Sequence, residues 1–390
     1  MGTIIGENVV FGIFRLTAAL LVVVTHIGGV EFFAGAAVWG FFMLSGLLMT
    51  AALNTRYGLD VRGLACFLLS RARRLYPTYW FCLFLTCLVL WAAQDFDRAR
   101  LVNSALGYPS ALGEWIANIF IVGQTTFGLG RTQVSLSPSS WAVDVEILMY
   151  FCSCLFLARS RRIALATLVL LGGLFPLLWW HARGLVKAGE VALAGQVLYS
   201  FLPAALLPYA IGSLMWFWRQ RYEAVFRGRH SLIVAGVLGI VVCAFLVHPK
   251  SVTLAYLMSL PCLMLILGTL MHVRAGGGLR SLDEFAGHMS YPLYLLHWLC
   301  AYLFVLIVPD SLHWASPGAG RYSYNLAAFV CVSILALAVS GLTAWLVEAP
   351  LERRRHDWLK SRMRPGSEDG TDGVDGPACL GPLPSKRERV

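Results

Sequence analysis

Two ionisable side chains interrupt the first long apolar run of the sequence. Arg15 and His26 lie eleven residues apart in FRLTAALLVVVTHIGG, residues 14–29. On an α-helix this spacing gives about three turns and a rise of about 16 Å, so both side chains lie on one face. Ionisable groups inside membrane helices cost about 2.5–3.5 kcal/mol each and usually face a protein interior or a wet cavity. The alternative is an arginine that snorkels to the headgroups and a histidine at the membrane interface.

The composition of the chain indicates an integral membrane protein. Of its 390 residues, 58% are hydrophobic and only 13% are charged, whereas soluble domains carry about 25% charged residues. The formal net charge of +10 comes from short basic groups between apolar runs. Such groups are typical of loops that face an anionic membrane surface. We therefore expect a lipid bilayer as the environment and no nucleic-acid partner.

The apolar runs predict an all-α polytopic bundle of about ten transmembrane helices. Each run approaches the roughly 20 residues that a helix needs to cross hydrocarbon. If the arginine-rich connections share one side, ten crossings place both termini in the cytoplasm. The predicted spans are 9–27, 36–53, 75–93, 141–158, 163–181, 198–218, 231–247, 252–272, 289–308 and 325–347.

Two other segments fall outside this count. Glu114–Thr126 is apolar but short, and counting it as a crossing would move the arginines near residue 160 to the outer side. We interpret it as a re-entrant or interfacial segment, which is tolerated at membrane depth where it lines a cavity. Residues 359–390 are predicted to form a disordered cytoplasmic tail, behind a membrane domain of residues 1–358.

Six sequence elements resemble, in order, the signature of the membrane acyltransferase-3 family. These proteins are integral-membrane enzymes that acylate extracytoplasmic glycans and some small glycosylated molecules. Each element alone is weak evidence, but together they extend over nearly the whole membrane region. The elements are Arg15 followed by ten residues and His26, then GFFMLSGLLMT (40–50), RARRLYPTYW (71–80), WAVDVEILMYF (141–151), SYPLYLLHW (290–298) and VEAPLERR (347–354).

The resemblance implies roles for four basic residues. His26 matches the histidine associated with catalysis in the family, and a neutral imidazole can take a proton from an attacking hydroxyl. Arg71 and Arg74 match an R-x-x-R pair whose guanidinium groups would hold the phosphates of an acyl-CoA. The alternative for this pair is an ordinary positive-inside anchor. Arg15 would steady the donor or order the inner cavity.

The element WAVDVEILMYF places Glu146 inside an apolar helix, where a carboxylate needs a partner. The expected partner is His26 or an arginine of the site, which would orient the imidazole as the third member of a catalytic relay does. The alternative is a structural ion pair. Asp144 departs from the family pattern, so which of the two carboxylates meets the site stays open. The substrate-binding candidates are Trp141, Tyr150, Asp144 and Ser45.

Two polar residues of the later elements have a simpler interpretation. His297 lies in the middle of an apolar run, where a satisfied core histidine is at least as good an explanation as a ligand-binding one. Glu348 precedes Pro350, and we expect it to pair with nearby arginines in a structural role.

Together these features predict a membrane-bound O-acyltransferase. It would move an acyl group from cytoplasmic acyl-CoA to a hydroxyl of a carbohydrate or glycosylated acceptor at the outer face of a bacterial inner membrane. Acetyl is the favoured acyl group. Acyl-CoA is a donor substrate here, and we expect no permanently bound cofactor and no metal. Some members of the family carry an additional extracytoplasmic domain, so a separate extracytoplasmic partner is a further expectation. The alternative function is a transporter or exporter of a glycolipid or small anion, which the lack of visible internal repeats disfavours.

Overall fold

Helices make up 81% of the residues that the structure describes, and these residues contain no β-strand. The computed structural model describes residues 10–29, 32–130, 134–248, 251–274, 276–308 and 326–363. In chain order, helices α1 to α15 are Gly12–His26, Phe33–Ala52, Val61–Ala93, Phe96–Val102, Leu112–Phe120, Trp141–Cys152, Arg161–Lys187, Val191–Tyr199, Leu202–Trp218, Glu223–Phe226, Ser231–Val242, Val252–Leu270, Gly277–Ile307, Leu326–Thr343 and Ala349–Met363. A π-helical turn prolongs α2, α6, α11 and α14, at Leu53–Tyr57, Ser153–Leu157, Cys243–Val247 and Ala344–Glu348.

The described residues of all ten predicted spans are largely helical. Seven helical segments within the described ranges are long and apolar enough to cross a membrane. These are Phe33–Tyr57, Val61–Ala93, Arg161–Lys187, Val191–Trp218, Val252–Leu270, Gly277–Ile307 and Ala328–Arg355. The helices Gly12–His26 and Ser231–Val247 are apolar but shorter, and α6 has 12 residues before its π-helical turn. A 15-residue helix rises only about 22 Å of the roughly 30 Å of hydrocarbon. The protein is a polytopic helical membrane protein, and the number of ten crossings stays a prediction.

Two helices begin well before their predicted spans. We predicted 75–93 and 289–308, whereas α3 begins at Val61 and α13 begins at Gly277. Both early parts carry charged side chains, such as Arg280, whose Nε donates to Glu284 Oε1 at 2.9 Å one turn later. Charged residues at i and i+4 are compatible with a helix that continues beyond the hydrocarbon. Because the prediction used apolar residues alone, each predicted span begins after the charged residues and not at the first residue of the helix.

Small polar side chains mark the beginnings of several helices. Ser160 Oγ accepts from the backbone N–H of Ile163 at 3.3 Å before α7. Ser251 Oγ accepts from the backbone N–H of Leu254 at the same distance before α12. A hydroxyl in this position satisfies one of the backbone donors that the first turn of a helix leaves unpaired.

The segment Glu114–Thr126 does not form a crossing helix. Its first part belongs to α5, which has nine residues and rises only about 13 Å. The carboxylate of Glu114 accepts from the backbone N–H of Ser110 at 2.8 Å and from that of Ala111 at 3.3 Å. These two hydrogen bonds hold the pKa of Glu114 below its usual value. The buried side chain of Asn118 anchors the returning chain, because its Oδ1 accepts from the backbone N–H of Leu136 at 2.9 Å.

The C-terminal helix extends past the predicted start of the tail. We predicted disorder from residue 359, whereas α15 continues to Met363. Residues 364–390 lie outside the described residues, so the tail over that range stays a prediction.

Helix α2 lies at the centre of the bundle and α7 at its edge. In α2, 78% of the most apolar window is buried, against 17% in α7. The main neighbour of α2 is α9, and two glycines make this contact close. A Cβ atom on Gly46 would lie 2.0 Å from Tyr209 O, and one on Gly212 would lie 1.9 Å from Met43 O. Small residues at such crossings allow membrane helices to pack backbone against backbone.

We expect Gly212→Ala to force α2 and α9 apart. Overpacking of this kind costs about 1–3 kcal/mol or more, so the detergent-solubilised variant should lose its monodisperse peak at a lower temperature than the wild type. The matched control is Gly172→Ala in α7, where an added Cβ meets nothing within 4 Å. Equal thermal stability of the two variants would contradict the close packing described above.

Candidate active site

The imidazole of His26 contacts a second imidazole from a distant part of the chain. His26 is the last residue of α1, and its Nδ1 lies 2.9 Å from Nε2 of His297 on α13. His297 is fully buried, and its Nδ1 lies 2.9 Å from the backbone carbonyl oxygen of Tyr294. The indole of Trp298 stacks on the His26 ring at 4.8 Å between centroids. His26 is therefore held at one nitrogen and along one ring face.

A cavity of about 360 Å³ opens beside His26. Its walls are mainly aromatic and come from several helices and connections. Tyr199 stacks on Tyr256 at 5.5 Å, and Trp141 meets Tyr199 edge to face at 5.6 Å. Lining residues with polar atoms include His26, Trp141, Tyr199, His248, Tyr256 and Tyr294. This volume and lining suit a small ligand with apolar faces and a few polar groups.

Glu146 accepts hydrogen bonds from two hydroxyl groups. Ser45 Oγ donates to Glu146 Oε1 at 2.5 Å, and Tyr150 OH donates to the same oxygen at 2.9 Å. Arg15 lies within electrostatic range of this carboxylate. The predicted partner of Glu146 was His26 or an arginine, and of these the structure brings Arg15 and Arg74 into its vicinity. The hydrogen-bond partner of His26 on α13 is instead another histidine.

The three predicted arginines come together at the other end of α1 from His26. Arg15 lies within electrostatic range of both Arg71 and Arg74. Arg71 is 7% exposed, and its Nε is buried with no hydrogen-bond partner in the part of the chain that the structure describes. Three carboxylates, Glu146, Glu348 and Glu352, lie within electrostatic range of Arg74. The result is a basic cluster in which Arg71 is buried, Arg15 and Arg74 are partly buried, and one donor is unsatisfied.

Residues in the last motif and directly after it lie beside this cluster. Glu348 accepts a hydrogen bond from Thr78, and it is buried. Arg355 pairs with Glu352 in the next turn, and its Nη1 donates to Ser70 Oγ at 3.1 Å. The structural role expected of Glu348 thus takes the form of a hydroxyl contact to α3, with Arg74 nearby.

The sequence pattern of the acyltransferase-3 family, described as an acyltransferase domain, matches residues 10–345. The chain belongs to this family. It is therefore a membrane acyltransferase, as the six motifs predicted. No curated protein and no solved structure matches the chain.

The acyltransferase uses Asp144 to hold a loop. Asp144 Oδ2 accepts from both the backbone N–H and the Oγ1 of Thr125, each at 2.9 Å, and Asp144 is 2% exposed. Nearby, Ser140 Oγ donates to Gln124 Oε1 at 2.6 Å. We listed Asp144 among the substrate-binding candidates, but its described contacts fix residues 124–125 against the start of α6.

The other substrate-binding candidates separate into two places. Trp141 lines the cavity beside His26, whereas Ser45 and Tyr150 belong to the Glu146 group. Within the described ranges, no group of three or more His, Cys, Asp or Glu side chains is arranged to hold a metal ion.

Sequence reasoning missed two aromatic residues of the site, Tyr199 and Tyr256, which belong to none of the six motifs. It considered His297 as a core or ligand-binding histidine but did not predict its contact with His26. Their apolar surroundings resemble those of any buried membrane helix, so only the fold brings them to His26.

We expect Asp144→Ala to destabilise the acyltransferase by about 1–3 kcal/mol, because the change removes the acceptor of two buried hydrogen bonds. Asp144→Asn keeps one acceptor oxygen and should be intermediate. Thermal unfolding in detergent measures the effect, with Asp357→Ala on an exposed face of α15 as the control. Wild-type stability of Asp144→Ala would show that the Thr125 contacts do not hold this loop.

Proposed function

We propose that this acyltransferase moves an acyl group from acyl-CoA to a hydroxyl of a carbohydrate or glycosylated acceptor, with acetyl as the favoured acyl group. The observation that carries the proposal is the arrangement of α1. It presents Arg15 to the basic cluster and His26 to the aromatic cavity, about 16 Å apart along one helix. The donor would bind at the arginine end, and its thioester would reach the acceptor at the histidine end.

The basic cluster supports a phosphate-bearing donor. Three guanidinium groups near one another repel, and a buried cation is costly unless an anion pairs with it. The unpartnered Nε of Arg71 points to a missing acceptor. Phosphate oxygens accept from guanidinium groups in pairs, and coenzyme A supplies several phosphates on a long thiol-bearing arm.

The aromatic cavity supports an acceptor with a flat apolar face. Tyrosine and tryptophan combine an apolar ring with a polar edge, and a sugar ring offers C–H faces to the former and hydroxyls to the latter. The volume of about 360 Å³ lies at the small end of ligand pockets. A single sugar unit of a larger glycan or a small glycosylated molecule fits this size.

Two reaction routes for the acyl transfer use His26. In the first, His26 takes the proton of the acceptor hydroxyl while the oxygen attacks the thioester carbon, and the C–S bond breaks to release coenzyme A, whose thiolate receives the proton. In the second, His26 attacks the thioester itself and releases the thiolate. The hydroxyl then attacks the acyl-imidazole and its proton passes to solvent.

The same arrangement supports an orientation in the membrane. The basic cluster and the arginine-rich connections after α2, α6 and α9 would face the cytoplasm, where acyl-CoA is made, with both termini on that side. The His26 cavity would face the outer side of a bacterial inner membrane. A separate extracytoplasmic protein would then have access to the acylated product.

We expect Arg71→Ala and Arg74→Ala each to raise the KM for acyl-CoA at least about tenfold, because a charge-assisted hydrogen bond contributes about 1.5–3 kcal/mol. His26→Ala should abolish turnover with labelled acetyl-CoA. The matched control is Arg73→Ala, since Arg73 is exposed and lies over the ring of Trp358 at 4.2 Å. The acceptor is found by comparing the acyl content of surface glycans by NMR, with and without the gene.

Full acyl transfer by folded and inserted His26→Ala and Arg74→Ala variants would overturn the proposal. Flux of a glycolipid or small anion through the purified wild type, without transfer or hydrolysis of labelled acetyl-CoA, would favour the transporter instead.

A further inference from the structure

The hydrogen bonds of His297 decide which of its nitrogens carries the proton. His297 Nδ1 lies 2.9 Å from Tyr294 O. A backbone carbonyl oxygen only accepts hydrogen bonds, so Nδ1 must be the N–H that donates. His297 is fully buried, and its described hydrogen-bond partners include no carboxylate. A charge on this ring would therefore be buried without an ion partner, which disfavours the doubly protonated form.

The position of the proton on His297 in turn decides which nitrogen of His26 carries a proton. In neutral His297 the second nitrogen, Nε2, carries a lone pair and accepts. It lies 2.9 Å from His26 Nδ1, so His26 Nδ1 must be the donor of this bond. A neutral His26 then has its lone pair on Nε2, on the opposite side of the ring.

We propose that His297 is a positioning residue that keeps the proton of His26 on Nδ1 and makes Nε2 the reacting nitrogen. Its part in turnover rests on the proposed acyl transfer, whereas the tautomer follows from the hydrogen bonds alone. Catalytic triads use a buried carboxylate to hold the imidazole tautomer. Here an imidazole and a backbone carbonyl do so, and Glu146 is engaged elsewhere by Ser45 and Tyr150.

The arrangement serves either route at His26. As a base, Nε2 takes the proton of the hydroxyl, and Nδ1–H goes on donating to His297 in the resulting imidazolium. As a carrier, Nε2 forms the bond to the acyl carbon, and the His297 bond again persists. Trp298 stacked on the ring restrains its rotation, so Nε2 keeps one direction through the cycle.

The test compares His297→Leu with His297→Gln in the full-length protein. Leucine fills the space but cannot accept from His26 Nδ1–H, whereas the amide oxygen of glutamine can. Diethyl pyrocarbonate attacks the unprotonated nitrogen of histidine, and peptide mass spectrometry gives the rate of labelling at His26 without any acyl substrate. Turnover and the KM for acyl-CoA are measured in parallel. The control for a histidine-to-leucine change is His181→Leu, on an exposed position of α7.

We expect His297→Leu to slow labelling of His26 about threefold or more and to lower kcat at least about tenfold with the KM for acyl-CoA unchanged, because the lone pair no longer stays on Nε2. His297→Gln should restore most of both, and His181→Leu should match the wild type. Wild-type labelling of His26 in a folded His297→Leu protein would overturn the inference. If the wild type transfers no acyl group, the proposed function fails, and the labelling rates still decide the tautomer.

Discussion

The site depends on the pairing of α1 with α13, which are parallel neighbours joined by polar contacts at two levels. Near one end, the backbone N–H of Ile13 donates to Asp283 Oδ1 at 2.8 Å. Near the other, His26 lies 2.9 Å from His297. The two contacts are 13 residues apart on α1 and 14 residues apart on α13, as expected for parallel helices of equal rise. A slip of either helix by one turn would break both.

Close backbone packing makes this register possible. A Cβ atom on Gly12 would lie 1.7 Å from Asp283 O, so only glycine allows α1 to approach α13 so closely. The same device holds α2 against α9 through Gly46 and Gly212. Because the helices cannot slide, the side chains of α1 keep fixed positions relative to both ends of the bundle.

The polar groups on this frame reduce stability where they lie in an apolar interior, and their arrangement is best explained by function. Cations near one another in this interior, such as the partly buried Arg15 and the buried Arg71, would be replaced by apolar residues if packing alone mattered. The carboxylate of Glu146 binds two hydroxyls and lies near Arg15, which places a negative charge beside the basic cluster. The site thus changes from arginines at one end of α1 to imidazole and aromatic rings at the other.

Much of this was predictable from local sequence, and the remainder depended on tertiary contacts. The apolar runs located helical segments, although they missed the polar first parts of α3 and α13. Helical spacing put Arg15 and His26 on one face and Arg71 with Arg74. The partner of His26 is 271 residues away along the chain, and no periodicity reports such a contact. The contacts of Asp144 were unpredictable for the same reason, since its partner Thr125 lies in an irregular segment whose path the sequence does not define.

The proposed acyl transfer requires a donor site and an acceptor site on opposite faces of the membrane. Sealed vesicles with the arginine-rich connections outward test this directly, with labelled acetyl-CoA outside and a glycan acceptor trapped inside. Labelled acyl-glycan in the lumen, formed by the wild type and not by His26→Ala, is the predicted result. Product that forms only when donor and acceptor share one side of the membrane would contradict the account.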